Sequence, residues 1–145
     1  MTTVIEPRLP IGLLDELASP AVFSSGPAPA ERTLVDILDE TTRRHPDARA
    51  IDDGQTALTY RALLGAVDLL RRRLAAAGIG RGDRVGVRAP SGTADLYISI
   101  LAVLAAGAAY VPVDADDPDE RAELVFAEAG VCAVLGPHRA LDLRA

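Results

Sequence analysis

The longest stretch without a charged side chain runs from Leu96 to Val113 and spans eighteen residues. A run of that length is sufficient to cross a bilayer as a helix. Here, however, the run is rich in alanine, is interrupted by Gly107 and Pro112, and is bounded by Asp95 and Asp114. These features favour a buried helix followed by a buried strand over a membrane span. A chain of 145 residues is long enough to bury both elements without disulfides or metals.

Capping and turn signals divide the chain from residue 33 to residue 136 into alternating helices and strands. Asp53-Gly54, between two short apolar stretches, predicts a β-hairpin. Successive β-α-β-α-β segments after it predict parallel strands joined by right-handed crossovers. The fold class is therefore a layered α/β structure, with a mostly parallel sheet flanked by helices and one small hairpin. Helix starts are predicted at Thr33 with Asp36, at Thr59, at Ser91 or Thr93, and at Pro118 with Asp117 and Glu120 as a capping box; the strands are residues 84–89, 108–114 and 131–136.

The helix that Thr59 caps has one apolar face and ends in a run of three arginines. Its core residues are predicted to be Leu63, Val67, Leu70 and Leu74, with Gly78 ending the helix. Residues 71–73 could form an anion site, but a solvated helix end stabilised by the helix dipole is the favoured interpretation. Cys132 lies in a predicted strand and is interpreted as a small core residue, not as a nucleophile.

Composition excludes several kinds of function. All fifteen basic residues are arginine, so a P-loop lysine and a Schiff-base lysine are both absent from this chain. The net charge of −6 argues against nucleic-acid binding. One cysteine and two histidines, His45 and His138, cannot assemble a Cys/His zinc site. The residues alone therefore predict no catalytic, cofactor-binding or metal site.

Two local motifs suggest ligand sites and then fail on spacing. The segment at residues 78–83 has aspartate where a dinucleotide-binding loop needs its third glycine, and it precedes a strand instead of following one. The segment Asp114–Glu123 contains six acidic residues, but the glycine and glutamate of a calcium loop are missing. Negative charge over a helix N-terminus explains most of these acids, and a weak Mg²⁺ site stays open as the alternative.

Two segments resemble the core motifs of adenylate-forming enzymes, in particular the amino-acid adenylation domains of nonribosomal peptide synthetases. The segment LTYRALL at residues 58–64 resembles the first motif, with Ala62 in place of the family's glutamate. The segment LAAGAAYVPVD at residues 104–114 resembles the second, with Ala105 in place of the family's lysine. The order and spacing of both motifs fit, and the match extends over roughly residues 31–136.

The matched motif positions are interpreted as structural. Thr59 caps a helix, Gly107 closes the buried helix, and Pro112 removes one ladder hydrogen bond from the strand that Ala109 and Tyr110 begin. The full set of motif residues is Leu58, Thr59, Tyr60, Leu63, Leu104, Gly107, Ala109, Tyr110, Pro112 and Asp114. The family's phosphate loop, substrate pocket and catalytic lysine have no counterpart in these 145 residues.

The resemblance implies an incomplete, N-terminal part of the adenylate-forming fold. The intact enzyme would activate an amino acid with ATP and Mg²⁺ and load it on the phosphopantetheine of a carrier domain. This chain would bind no cofactor itself, and its partners would be the remainder of the adenylation domain and the carrier domain. The alternatives are part of an acyl- or aryl-coenzyme A ligase and a non-catalytic interaction module.

Further expectations concern the ends of the chain, its subgroup, its self-association and its cellular location. Residues 1–32 hold half of the ten prolines and are expected to form a disordered or loosely docked leader; residues 33–136 form the subdomain, and residues 137–145 a truncated tail. The segment DADDPDERA at residues 114–122 is a variant similar to synthetases of the ε-poly-lysine type. Self-association through exposed sheet or apolar surface is expected. A cytoplasmic location in a bacterium with a GC-rich genome is also expected.

Overall fold

A computed structural model describes residues 31–144 of the chain. The leader predicted for residues 1–32 lies outside the described residues, apart from its last two positions. The described elements follow in chain order: α1 (Leu34–Arg44), β1 (Arg49–Asp52), β2 (Ala57–Thr59), α2 (Tyr60–Ala76), β3 (Arg84–Ala89), α3 (Ala94–Ala105), β4 (Ala109–Asp114), α4 (Asp119–Ala129), β5 (Ala133–Leu135), a 3₁₀ turn (Pro137–Arg139) and β6 (Leu141–Leu143).

The main sheet has four strands in the order β4-β3-β5-β6. Strands β4 and β5 both run parallel to β3, and Gly86 of β3 stands opposite Val111 on one side and Val134 on the other. Strand β6 pairs antiparallel with β5. Strands β1 and β2 form a separate antiparallel hairpin. The predicted α/β architecture, a mostly parallel sheet with helices and a small hairpin, is confirmed.

Helices cover the two faces of the sheet with separate cores. On one face, α3 contacts β3, and residues of α1, α2 and α3 share one buried cluster with Val85 and Val87. The cluster includes the four residues predicted for α2: Leu63, Val67, Leu70 and Leu74. On the other face, α4 places Phe126 in a smaller cluster with Val113 and Val134. Cys132 precedes β5 instead of lying in it, and is half-buried and packed against the first core.

Side-chain caps begin three of the helices. At the start of α1, the Thr33 hydroxyl accepts from the backbone N–H of Asp36, whose carboxylate accepts from the backbone N–H of Thr33. Thr59 caps α2 and Thr93 caps α3 in the same way, without the reciprocal carboxylate. These helix starts are confirmed. The capping box predicted from Asp117 and Glu120 is wrong, because Pro118 is the N-cap of α4 and makes no side-chain cap bond.

Strand β4 is more exposed than the buried strand that the sequence predicts. It lies at one edge of the described sheet, and Ala109, Tyr110 and Pro112 are exposed while Val113 is buried. The missing N–H of Pro112, which was expected to remove a ladder bond, removes none from the described sheet. The backbone N–H of Ala109 donates to Asp83 of the chain entering β3 at 2.9 Å, so alternate residues from Ala109 face β3 and Pro112 faces the open edge.

The segment assigned to a tail at residues 137–145 forms secondary structure as far as it is described. The 3₁₀ turn reverses the chain, and β6 returns along β5 with Val134 opposite Asp142. At its end, the backbone N–H of Arg144 donates to the Cys132 carbonyl at 2.8 Å. The Arg144 guanidinium also bonds Glu123 of α4 and lies 5.7 Å from the centre of the Phe126 ring. Strand β6 is therefore tied to α4 as well as to the sheet.

Replacing Gly107 by valine is expected to destabilise the chain by about 1 kcal/mol or more. Gly107 ends α3 at a φ of +82°, a conformation that a β-branched residue adopts only with strain, although an added Cβ would meet only Arg81 at 3.7 Å. Chemical denaturation measures the difference. Gly65→Ala within α2 is the matched control and should stabilise by about 0.5–1 kcal/mol; a neutral Gly107→Val would contradict this account.

Replacing Gly86 by alanine is expected to cost about 1–3 kcal/mol through overpacking. A Cβ built on Gly86 lies 2.7 Å and 2.9 Å from two ring carbons of Phe126, so either the ring or the strand must move. Urea unfolding of Gly86→Ala in the wild-type and Phe126→Leu backgrounds checks the origin of the cost. An equal cost in both backgrounds would show that the ring is not responsible.

Candidate functional site

A cleft of about 710 Å³ opens at the carboxyl ends of β3 and β5. Its walls come from the end of β3, the hairpin turn, the first turn of α3 and the 3₁₀ turn. Strand β3 leads through α3 to β4 on one side of it, whereas the neighbouring β5 leads through the 3₁₀ turn to β6 on the other. Ligands of α/β proteins often bind where neighbouring connections diverge in this way. The cleft is therefore the first candidate for a ligand site.

Asp53 of the hairpin turn occupies the N-terminus of α3. One carboxylate oxygen accepts from the backbone N–H of Ala94 at 2.8 Å, and the other accepts from those of Gln55 at 3.0 Å and Thr56 at 2.6 Å. The bond from Ala94 lowers the pKa of Asp53 most, and the bonds from Thr56 and Gln55 lower it further. The helix N-terminus, where an anionic ligand could bind, thus already holds a carboxylate of the chain itself.

The arginines of the cleft are bonded to protein groups. Arg88 donates to the Asp117 carbonyl at 2.9 Å and forms an ion pair with Asp119 at 2.7 Å. Arg139 lies 3.4 Å from the carboxylate of Asp95, and its carbonyl accepts from Arg73 at 3.2 Å. Both cationic groups are therefore paired with carboxylates. Besides the Asp53 carboxylate, the cleft therefore presents ion pairs and apolar wall.

His138 and Arg139 have left-handed backbone conformations, with φ of 52° and 60°. Two consecutive non-glycine residues in this region are uncommon, and hydrogen bonds close the turn around them. Gly136 donates to the Ala140 carbonyl at 2.8 Å, and Ala140 donates to that of Pro137 at 3.1 Å. Sequence reasoning missed this turn. The alternation Leu141-Asp142-Leu143 is the signal that could have indicated the strand after it.

The residues of the first motif join the hairpin to α2. The Thr59 hydroxyl accepts from the backbone N–H of Ala62 at 3.2 Å, and the backbone N–H of Tyr60 donates to the Ala48 carbonyl at 3.0 Å. Leu63 is buried in the first core, against which Leu58 and Tyr60 are packed half-buried. Of these residues only Leu58 lines the cleft.

The residues of the second motif form the end of α3, the turn and β4. Leu104 is half-buried near the end of α3, and Gly107 adopts its positive φ in the turn. Asp114, at the carboxyl end of β4, accepts from the backbone N–H of Asp116 at 3.0 Å and from the Ser91 hydroxyl. The bond from Asp116 lowers the pKa of Asp114 most, and the bond from Ser91 lowers it further. The structure thus links the loops that follow β3 and β4 but does not bring the two motifs together at the cleft.

Two further segments that the sequence suggested as ion sites, the three arginines of α2 and the acidic segment after β4, do not form such sites. Arg71 and Arg72 both bond the carboxylate of Asp68, at 2.7 Å and 2.8 Å, and this lowers the pKa of Asp68. With Arg73 on the 3₁₀ turn, the three arginines do not converge on an anion site. The acidic segment after β4 was the alternative Mg²⁺ site. No group of three His, Cys, Asp or Glu side chains positioned to hold a metal ion occurs between residues 31 and 144.

Comparisons with known proteins agree on one family. Residues 38–145 match the family model described as AMP-binding enzyme. The chain is 40% identical over 104 residues to phosphinothricin tripeptide synthetase PhsC of Streptomyces viridochromogenes, a match that covers 72% of this chain and 10% of that protein. The chain therefore spans about a tenth of this curated relative.

Solved structures give the same result. The N-terminal subdomain of Klebsiella oxytoca NpsA matches with a TM-score of 0.68 and 29% identity, over 76% of this chain and 29% of that one. NpsA-ThdA of the same organism, an artificially fused adenylation-PCP di-domain of a nonribosomal peptide synthetase, matches with a TM-score of 0.68 and 30% identity, over 72% of this chain and 20% of that one.

The bonds of Asp53 predict a dependence of stability on pH. Because folding lowers its pKa, the ionised group stabilises the fold above the ordinary carboxyl range, and this stabilisation is lost as the pH falls through the folded pKa. The free energy of unfolding should therefore decrease below about pH 4. Asp53→Asn should be less stable at pH 7 and should flatten the acid limb, as followed by urea titration.

Glu128→Gln, an exposed change on α4, is the control for this measurement and should follow the wild-type curve. Coincident curves for Asp53→Asn and wild type would show that the link between the hairpin and α3 does not contribute to stability.

Proposed function

The chain belongs to the AMP-binding enzyme family, and from that premise we propose that it forms the N-terminal, structural part of an amino-acid adenylation domain. The observation that carries the proposal is the match over residues 38–145, which includes both motifs and extends through the described sheet. The named relatives reported above are a tripeptide synthetase and adenylation proteins, which favours an amino acid or a similar carboxylic acid as substrate.

The proposed reaction of the whole domain has two steps. The carboxylate of the amino acid attacks the α-phosphorus of ATP, the bond to the β-phosphate breaks, and pyrophosphate leaves. The thiol of a carrier phosphopantetheine then attacks the acyl carbon, loses its proton to solvent or a base, and displaces AMP. Mg²⁺ would offset the charge of the phosphates.

The residues described here do not fit ATP or Mg²⁺. Asp53 holds the N-terminus of α3, and Arg88 and Arg139 are paired with carboxylates. We therefore assign no step of the reaction to a side chain of this chain. Its contribution is to position other parts of the domain, which is the structural role proposed for all ten motif residues. Residues 33–136 are the proposed subdomain.

The proposed partners are the remainder of the adenylation domain and a carrier domain. The fused adenylation-PCP protein supports the second, since the matched fold occurs there beside a carrier. Within residues 31–144, no helix has the length and apolar character needed to cross a membrane. A cytoplasmic bacterial protein is proposed from the bacterial synthetases to which the chain is similar. Similarity to homopolymer synthetases rests on residues 114–122 and remains a prediction.

Pyrophosphate exchange tests the proposed function. The 145-residue chain alone should give no amino-acid-dependent exchange of labelled pyrophosphate into ATP, because it contains no lysine and no phosphate loop. The longer protein encoded by the same reading frame should give exchange with one or a few amino acids. Exchange that depends on a fatty or aryl acid would instead indicate a coenzyme A ligase. Clear exchange by the short chain, or a frame that stops at Ala145, would contradict the proposal.

A further inference from the structure

One aspartate of the chain is followed by glycine, and this pair, Asp53-Gly54, forms part of the hairpin turn. An aspartyl residue rearranges spontaneously when the backbone nitrogen of the next residue attacks its side-chain carboxyl group. Glycine favours this attack, because it has no Cβ to obstruct the five-membered ring that forms. Every other aspartate is followed by a residue with a Cβ, and the chain contains no asparagine. The sequence therefore concentrates this reactivity at one position.

The rearrangement needs water as its only co-reactant. Starting from the neutral carboxyl group, the Gly54 nitrogen forms a bond to Cγ of Asp53, the C–OH bond breaks, and the hydroxyl leaves with the proton of the nitrogen as water. One water then opens the cyclic imide. When the bond between the Gly54 nitrogen and the original Asp53 carbonyl carbon breaks, the product is an isoaspartyl residue, which has the same mass and one additional backbone carbon.

Hydrogen bonds engage both reacting groups in the folded chain. The Asp53 carboxylate accepts from three backbone N–H groups, that of Ala94 in α3 at 2.8 Å among them. These bonds favour the ionised carboxylate, which is a poorer electrophile than the neutral acid. The backbone N–H of Gly54 donates to the Asp52 carboxylate at 3.1 Å, and a negative charge there opposes the loss of the amide proton. Both contacts therefore slow the attack.

The bond from Ala94 is the one that links the carboxylate to another element. The other two N–H groups, those of Gln55 and Thr56, belong to the turn itself. Gly54 is exposed, and a Cβ built there would meet nothing within 4 Å beyond its chain neighbours, so solvent reaches the reacting nitrogen. When the turn moves away from α3, the carboxylate loses the bond from Ala94, and the attack becomes easier.

We propose that Asp53-Gly54 is a site of spontaneous backbone isomerisation, and that the bond from the Ala94 N–H keeps it in the aspartyl form. The inference is independent of the proposed function. The rate of isomerisation follows the fraction of time that the turn spends away from α3. Because the isoaspartyl product has a longer backbone and a displaced carboxylate, the bond to α3 cannot re-form in the same geometry. An opening of the hairpin thereby becomes permanent, and the product is the group that isoaspartyl carboxyl methyltransferases recognise.

Ala94→Pro tests the bond without changing Asp53 or Gly54. Ala94 is the first residue of α3, a position at which proline is well tolerated. The preceding Thr93 has the extended backbone that proline requires, with φ of −90° and ψ of 153°. The variant removes the N–H and places a ring carbon where its proton pointed. Leu34→Pro, at the same first position of α1, is the matched control.

The measurement follows isoaspartate at residue 53 while each protein is kept at neutral pH. Trypsin releases residues 50–61 as one peptide, in which electron-transfer dissociation distinguishes isoaspartate from aspartate. Folded wild type should react at least about tenfold more slowly than the same chain in guanidinium chloride. Ala94→Pro should raise the folded rate by about tenfold or more, the effect of one hydrogen bond to a charged group. Leu34→Pro should react at the wild-type rate.

The inference is overturned if folded wild type reacts as fast as the denatured chain, or if isoaspartate forms at other aspartates before residue 53. It is also overturned if Ala94→Pro is folded by circular dichroism and reacts at the wild-type rate. If Ala94→Pro does not fold, hydrogen exchange of the wild type decides. The protection factor of the Ala94 amide should then match the ratio of the denatured to the folded rate, and one larger by more than about tenfold would show isomerisation without opening.

Discussion

The contact between Gly86 and the Phe126 ring determines how closely α4 can approach the sheet. Gly86 is the third residue of β3, the strand with β4 on one side and β5 on the other. A glycine there leaves room for a large ring directly over the backbone, and that ring is almost completely buried. Arg144 then stacks over the same ring and bonds Glu123, so the position of β6 also depends on it. Strand β3 therefore has a strand on each side, the first core on one face and Phe126 on the other.

Internal ion pairs and caps account for the polar groups around the cleft. Asp53 is bonded to the first turn of α3, Asp95 to the 3₁₀ turn through Arg139, and Arg88 to the start of α4. The groups that could have recognised a ligand instead join loops from different elements. This explains why the position at which an α/β fold commonly binds its ligand serves, in this chain, to hold the loops in place. A structural role in a larger adenylation domain is consistent with that arrangement.

Local signals predicted most of the secondary structure because they act over a few residues. Thr33 with Asp36, Thr59, and Gly107 satisfy backbone groups within one turn of their own helix ends, and the sequence shows each of them directly. The capping box at Asp117 failed for one tertiary and one local reason. The Asp117 carbonyl accepts from Arg88, and its carboxylate pairs with Arg121, so Pro118 takes the capping position.

By itself, the sequence determined the element order as far as β5, the buried face of α2, the hairpin and the family, since periodicity, turn chemistry and the two motifs are local patterns. Only the tertiary structure decided that β4 lies at an edge, that β6 returns along β5, and that Asp53 caps α3 from forty-one residues away. It also decided that Tyr97 of the apolar α3 is exposed within the described chain. The physical reason is that burial and charge pairing depend on which elements become neighbours, and hydrophobic pattern alone does not specify the partner.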